Sequence, residues 1–232
     1  MREAWSGAAD CMRCALRNTV LFAGLTEEDF ARIHDPIDQF ALHPGTTLYH
    51  AQDSGEFMFT IRSGALKLVQ YLSDGTQRIV RIVRSTDVLG LEALLQEPYH
   101  HDAVALQPTE VCRFPAKLVG ELSRENPGLY RELMSRWQQA LSEADAWLTE
   151  LSTGAARQRV ARLLLRLVRD RESSACQLFS REDMGAMLGI TTETTSRTIA
   201  EFKRQSLLVE TRPNLFLLDI PNLRRIAEGE VR

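Results

Sequence analysis

Six apolar residues, Met134, Trp137, Leu141, Ala144, Leu148 and Leu151, follow one another at intervals of 3, 4, 3, 4 and 3. Such a stripe keeps to one side of an α-helix, whereas a strand would scatter it over both faces, so the pattern calls for one long helix. Gln138, Gln139, Glu143 and Asp145 fill intervening positions with polar groups. Asn126 is a natural N-cap, with Pro127 at the first helical position, where its missing N–H costs nothing. Gly154 ends the helix, and Thr153-Gly154 reads as a hinge between domains. The stripe can be buried on the chain's own domain or against the same helix of a second copy. It overshoots a small neighbouring domain by about three turns, which favours a homodimer interface built from those six residues.

Before this helix the texture is that of strands. Between residues 37 and 115, His43-Pro44-Gly45, Asp53-Ser54-Gly55, Arg62-Ser63-Gly64 and Ser73-Asp74-Gly75 break up short runs of β-branched and aromatic residues. Glycine supplies the positive φ of tight turns, and Asp or Ser caps nearby backbone groups. Strands are predicted over 57–62, 65–71, 77–84 and 109–114. Several short strands separated by regular turn signals predict a sandwich or barrel, with a loop-rich α+β domain as the alternative.

After it the pattern is helical and compact. Val160, Leu163, Leu164, Leu167 and Val168 line one side of a helix over 156–170. A polar loop over 171–177 holds Cys176, read as a surface or half-buried thiol. Ser180 can cap a helix ending at Leu188, Gly189 permits a sharp turn, and Thr191 can cap a second helix over 192–204. With small Gly185 where the two would cross, this is a helix-turn-helix pattern. Met184, Leu188, Ile190, Ile199 and Phe202 are predicted buried. Thr192, Glu193, Ser196 and Arg197 share the outward face near the helix N-terminus, the end that enters a major groove. Arg197 can pair bidentately with guanine, and Glu193 can accept from cytosine or orient the arginine. The plainer alternative is an exposed i,i+4 salt bridge between them, worth a few tenths of a kcal/mol. Lys203, Arg204 and Arg212 are placed for phosphates. A wing follows, with strands over 207–210 and 215–218 around Arg212-Pro213-Asn214.

The chain is 232 residues long, 44% hydrophobic and 25% charged, with net charge −3. Residues 154–212 nonetheless hold eleven Lys or Arg against seven Asp or Glu, a local balance of 11 − 7 = +4. A basic segment in an acidic chain points to DNA, although solvated helix faces are also Arg-rich. No apolar run is long enough for a membrane span and the N-terminus has no apolar signal region, so a cytoplasmic protein is expected. Cys11-Met12-Arg13-Cys14 in such a chain indicates metal or redox chemistry rather than a disulfide framework. There is no nucleophile elbow, P-loop, dinucleotide fingerprint or His-Glu-x-x-His, so an enzyme would rest on unrecognised residues. A non-DNA regulatory subunit would explain the barrel but not the basic helix-turn-helix.

The order of parts, and Gly189-Ile190-Thr191-Thr192-Glu193-Thr194-Thr195-Ser196-Arg197 in particular, resembles the CRP/FNR superfamily of bacterial transcription regulators, most closely its FNR-type branch. The resemblance spans nearly the whole chain. It implies an α+β fold: a cysteine-containing segment (1–25), a cyclic-nucleotide-binding-like sensory β-barrel (26–120), a dimerisation helix (121–153) and a winged helix-turn-helix (154–232). It also implies a homodimer on two-fold DNA with half-sites like TTGAT, read by Glu193, Ser196 and Arg197. Thr198 departs from the apolar residue usual in relatives. The turn Ser73-Asp74-Gly75-Thr76 resembles the family loop that touches RNA polymerase, which implies an activator.

Two cofactors follow from the same comparison. Cyclic-nucleotide binders hold the ribose and phosphate with Gly-Glu and Arg-Ser or Arg-Thr pairs. Gly90-Leu91-Glu92-Ala93 and His100-His101-Asp102-Ala103 stand here instead, and Asp102 would repel a cyclic phosphate, which argues against cyclic AMP. FNR-type sensors bind an iron–sulfur cluster through three N-terminal cysteines and one from the barrel. Cys11, Cys14 and Cys112 match three of these, but Val20 stands at about the remaining position and cannot bind iron. Three readings stay open: a cluster on Cys11, Cys14, Cys112 and a non-cysteine ligand such as Asp10 or His34; a thiol switch between the N-terminal pair and Cys112; or inert cysteines, Cys112 serving as filler. His100-His101, lacking partner ligands, is read as solvated. The other class of signal is a non-redox small molecule in the barrel.

Overall fold

A computed structural model of the chain describes residues 5–8 (backbone only), 25, 26, 28, 37–168 and 174–229. It divides into two compact units, one of residues 1–76 and 80–142 and one of residues 77–79 and 143–232, with a boundary inside the long helix.

The first unit is a barrel-like pair of sheets. Strands β1 (Trp5–Ala8), β2 (Asp38–Leu42), β4 (Phe57–Ser63), β7 (Val88–Leu89) and β9 (Thr109–Pro115) form one, in the order β1-β2-β9-β4-β7. Strands β3 (Thr47–Tyr49), β5 (Ala65–Tyr71), β6 (Gln77–Arg84) and β8 (Asp102–Ala105) form the other, in the order β3-β8-β5-β6. The predicted strands are all present; β1, which pairs antiparallel with β2, was not expected from its sequence. In β4 the two-residue period of a strand sends Phe59 and Ile61 to one face and Met58 to the other. Phe59 and Ile61 join Phe40, Leu66, Leu68 and Val111 in the core between the sheets. Tyr49 and Tyr99 stack there with ring centroids 4.0 Å apart.

Met58, with Val88 and Phe114, packs instead against helix α1 (Ala116–Glu125) and the start of helix α2 (Pro127–Leu151), through Val119, Leu122, Leu129 and Leu133. The expected cap is in place, Asn126 Oδ1 accepting from Leu129 N at 3.0 Å. Residues 121–125 are not part of the long helix: they close α1, whose break lies at Asn126.

The second unit holds the end of α2, then α3 (Ala156–Leu167), β10 (Ala175–Gln177), α4 (Arg181–Leu188), α5 (Thr192–Arg204), β11 (Leu208–Arg212), β12 (Leu215–Leu218) and α6 (Ile220–Glu228). Its core gathers Val160, Leu163, Leu164, Phe202, Phe216 and Leu223, all at most 2% exposed. The wing has three strands, β10-β12-β11, not two. The expected loop over 171–177 gives way at its end to β10, which pairs Cys176 with Phe216. Cys176 is accordingly buried rather than at the surface, and burial alone pushes its thiol up to about 11.

Candidate nucleic-acid interface

Helices α4 and α5 are set by their caps and by one close approach. Ser180 Oγ accepts from Asp183 N at 2.9 Å, and Thr191 Oγ1 from Thr194 N at 3.2 Å, so each helix begins on a satisfied donor. Gly189 closes α4 at φ +63°, a left-handed conformation that costs glycine least. A Cβ on Gly185 would stand 2.7 Å from the Ile190 carbonyl, so no larger residue fits the crossing without moving backbone. Met184, Leu188, Ile199 and Phe202 are buried as predicted, and Ile190 is half-buried. Thr195 and Thr198 are buried too, which a hydrophobic reading passed over. Their hydroxyls donate back to the carbonyls of Thr191 (3.0 Å) and Thr194 (2.8 Å), so each buried polar atom is satisfied within the helix. Thr198 is thus buried without leaving an unpaired donor.

Thr192, Glu193, Ser196 and Arg197 are all exposed on the opposite side. Hydrogen bonds from its own backbone N–H and the Thr191 hydroxyl hold the Glu193 carboxyl below the usual carboxylate range. Among the described residues no ion pair joins Glu193 to Arg197. Arg204 and Arg212 are exposed as well. Lys203 is exposed but engaged, its Nζ 3.0 Å from Glu210 Oε2 and 4.6 Å from the centre of the Phe216 ring. It ties α5 to the wing rather than projecting alone.

Sequence reasoning missed the arginines that hold this assembly from α3. Arg159 Nη1 donates to the Leu188 carbonyl at 2.7 Å, at the end of α4. Arg157 donates to Glu201 on α5 (2.8 Å) and to Gln205, the residue that caps its end (2.7 Å). The basic balance of this region flagged them only as a group.

The helical stripe divides. Met134, Trp137, Leu141 and Leu148 are 43%, 40%, 52% and 66% exposed, and Ala144 is exposed beside them. Leu151 is 0% exposed, so its placement in the stripe is corrected: it is buried within the second unit. Tyr130, 52% exposed, extends the stripe at its other end. It lies four residues before Met134 and could have been found from the same repeat.

Of the sensory residues, Cys11, Cys14, Asp10, Val20 and His34 lie outside the described residues. Cys112 is half-buried in β9, opposite Gln39 on one side and Thr60 on the other, and packs against the apolar cluster under α1 and α2. Thr60 is 4% exposed and its hydroxyl makes no hydrogen bond. Among the described residues no three His, Cys, Asp or Glu side chains converge as metal ligands. With Cys176 enclosed in the other unit, only three cysteines remain for a four-iron cluster that takes four thiolates. The residues do not fit an all-cysteine site. A cyclic nucleotide fits no better. Asp102 accepts from Ala51 N at 2.7 Å and faces His50 Nδ1 at 3.5 Å, a negative charge where the resemblance puts the phosphate. His100 is exposed, 3.4 Å from Glu97, but His101 is half-buried, not solvated, and its pKa is lowered, chiefly by burial.

A barrel of the cyclic-nucleotide-binding kind, a long helix and a winged helix-turn-helix define a DNA-binding regulator. Residues 39–126 match the family described as cyclic nucleotide-binding domain, and residues 158–226 the Crp-like helix-turn-helix domain. The chain is 30% identical over 230 residues to the transcriptional activator protein anr of Pseudomonas aeruginosa, covering 96% of this chain and 94% of that one. It is 25% identical to the electron transport regulator A of Shewanella oneidensis, over 97% and 94%. The solved structure of FixK2 from Bradyrhizobium japonicum superposes with a TM-score of 0.73 at 25% identity, over 82% and 96%. The chain belongs to the CRP/FNR superfamily: it is a DNA-binding transcription regulator and not an enzyme. Among the described residues no helix is long and apolar enough to cross a membrane.

Proposed function

We propose that the protein is a homodimeric activator that reads two-fold symmetric DNA with TTGAT-like half-sites. The exposed Thr192, Glu193, Ser196 and Arg197 at the capped start of α5 carry this reading. Arg197 takes the guanine, Glu193 the opposing cytosine, and Ser196 a neighbouring base edge. Arg204 and Arg212 contact phosphates, with Lys203 at the edge of that set. The exposed stripe from Tyr130 to Leu148 pairs with its copy and spaces the two α5 helices by one turn of DNA. The turn over 73–76 meets RNA polymerase. Tyr71 and Leu72 beside it are 58% and 48% exposed, an apolar surface suited to a protein partner. Selection of bound duplexes from a random pool tests the specificity: inverted TTGAT repeats are expected, and an asymmetric or absent consensus would refute it.

The signal is redox in kind and enters at Cys112, together with Cys11 and Cys14. Supporting this is the position of Cys112 against the cluster that holds Leu129 and Leu133 at the root of α2. A change in size or charge at that sulfur bears on the helix that pairs the subunits. The orphaned Thr60 hydroxyl across the ladder is a donor in reach of a new acceptor there. An absorption spectrum with iron and sulfide analysis of anaerobically purified protein, beside DNA binding of Cys112→Ser, separates the possibilities. An iron-free, colourless protein whose binding ignores both oxidant and Cys112→Ser ends the redox reading.

A further inference from the structure

The carbonyls at the end of α2 are fastened by one guanidinium. Arg162, in the middle of α3, donates from Nη1 to the carbonyls of Glu150 and Thr153, both at 2.9 Å, and from Nε to the carbonyl of Ala227, also at 2.9 Å. The last carbonyls of a helix have no partner within it. One guanidinium therefore closes the C-terminal ends of α2 and α6 and sets its charge at the negative end of both dipoles. One turn on, Arg166 Nε meets Glu150 Oε2 at 2.8 Å. One turn back, Gln158 Oε1 accepts from Ala155 N at 2.8 Å. A Cβ on either Gly154 or Gly229 would stand 2.7 Å from the Gln158 amide. Three residues at one-turn intervals on α3 thus occupy the link between the dimerisation helix and the DNA-reading helices.

We propose that Arg162 is a positioning residue for DNA recognition, fixing the angle at which the winged helix-turn-helix leaves α2, with Arg166–Glu150 as a second point of attachment. This rests on the reading above of a dimer on two-fold DNA. The role needs a forked donor, because three carbonyls from two segments, the end of α2 and the end of α6, converge on one planar group; a lysine ammonium supplies a point charge without the fork. Arg162 bonds to the ends of α2 and α6, whereas contact with α5 is made by Arg157, so it acts on where the reading face is held and not on the face itself.

The test uses the full chain and three duplexes: one half-site, two half-sites one helical turn apart, and the same pair with one base pair inserted. Wild type is expected to bind the correctly spaced pair most tightly and to weaken on insertion. Arg162→Met should keep half-site affinity within about twofold. It should lose about tenfold on the spaced pair, because a loosened link lowers the effective concentration of the second domain. It should also cease to distinguish the two spacings. Arg162→Lys should follow it, and Glu150→Gln should shift the same way by less. A dimeric Arg162→Met that retains wild-type affinity and spacing preference overturns the proposal. So does parallel loss of half-site binding, which would mean that Arg162 holds the domain's fold. A wild type indifferent to symmetry would instead sink the dimer reading, whatever Arg162 does.

Discussion

Arg197 and Glu193 stand one turn apart on α5, exposed and not joined to each other, and this leaves both to meet a base pair. Their types and spacing were readable because a helix N-terminus announces itself by its cap. What could not be read was which basic residues are spoken for, since Lys203 finds Glu210 only through the fold of the wing. Arg212 is exposed, with no ion-pair partner among the described residues, and the phosphate contact proposed for it is electrostatic. Arg212→Ala should weaken binding to all sequences alike and reduce the slope of log affinity against log salt by about one, because one phosphate contact fewer releases one counterion fewer. A titration series in salt measures it. His101 makes a different prediction. Burial lowers its pKa below the ordinary 6.5, so the unfolded chain binds the proton more readily than the folded one. Its contribution to stability is present above that pH and fades as pH falls below it. Denaturant unfolding at successive pH values should show His101→Gln losing less stability than wild type on acidification.

At the scale of elements, the long helix was the most legible because a repeat sustained from Met134 to Leu151 leaves little choice. Its cap at Asn126 and its exposed stripe both followed from the sequence. Leu151 did not, because the repeat continues past the point where the helix enters the second unit and its side chain is enclosed there. Strand β10 was illegible for the opposite reason: three residues, Ala175–Gln177, carry too short a pattern to declare a strand. Only pairing with β12 makes it one. The stripe carries the element-scale prediction. Leu141→Glu should turn the dimer into a monomer in sedimentation while changing the thermal stability of the isolated subunit little, within about 0.5 kcal/mol, since this side chain is already 52% exposed. A dimer that persists would place the interface elsewhere.

Over the whole molecule, the chain couples a β-barrel whose outer cluster grips the root of α2 to a winged domain that grips its end. The order of these parts was evident in the three textures of the sequence, whereas their joints were not. Arg162 and Glu150 meet through a backbone carbonyl, and no pattern of residue types records a carbonyl. The cysteines were legible as a family likeness and equally as a departure, with Val20 standing where a ligand would be. The proposed function converges on α5 as the DNA-reading helix. The most direct measurement is therefore fluorescence anisotropy of full-length wild type and Arg197→Ala on a duplex with two TTGAT half-sites and on one with the guanines replaced. The account predicts that Arg197→Ala loses about 1–3 kcal/mol on the first duplex and discriminates poorly between the two. Undiminished affinity and discrimination in Arg197→Ala would contradict it.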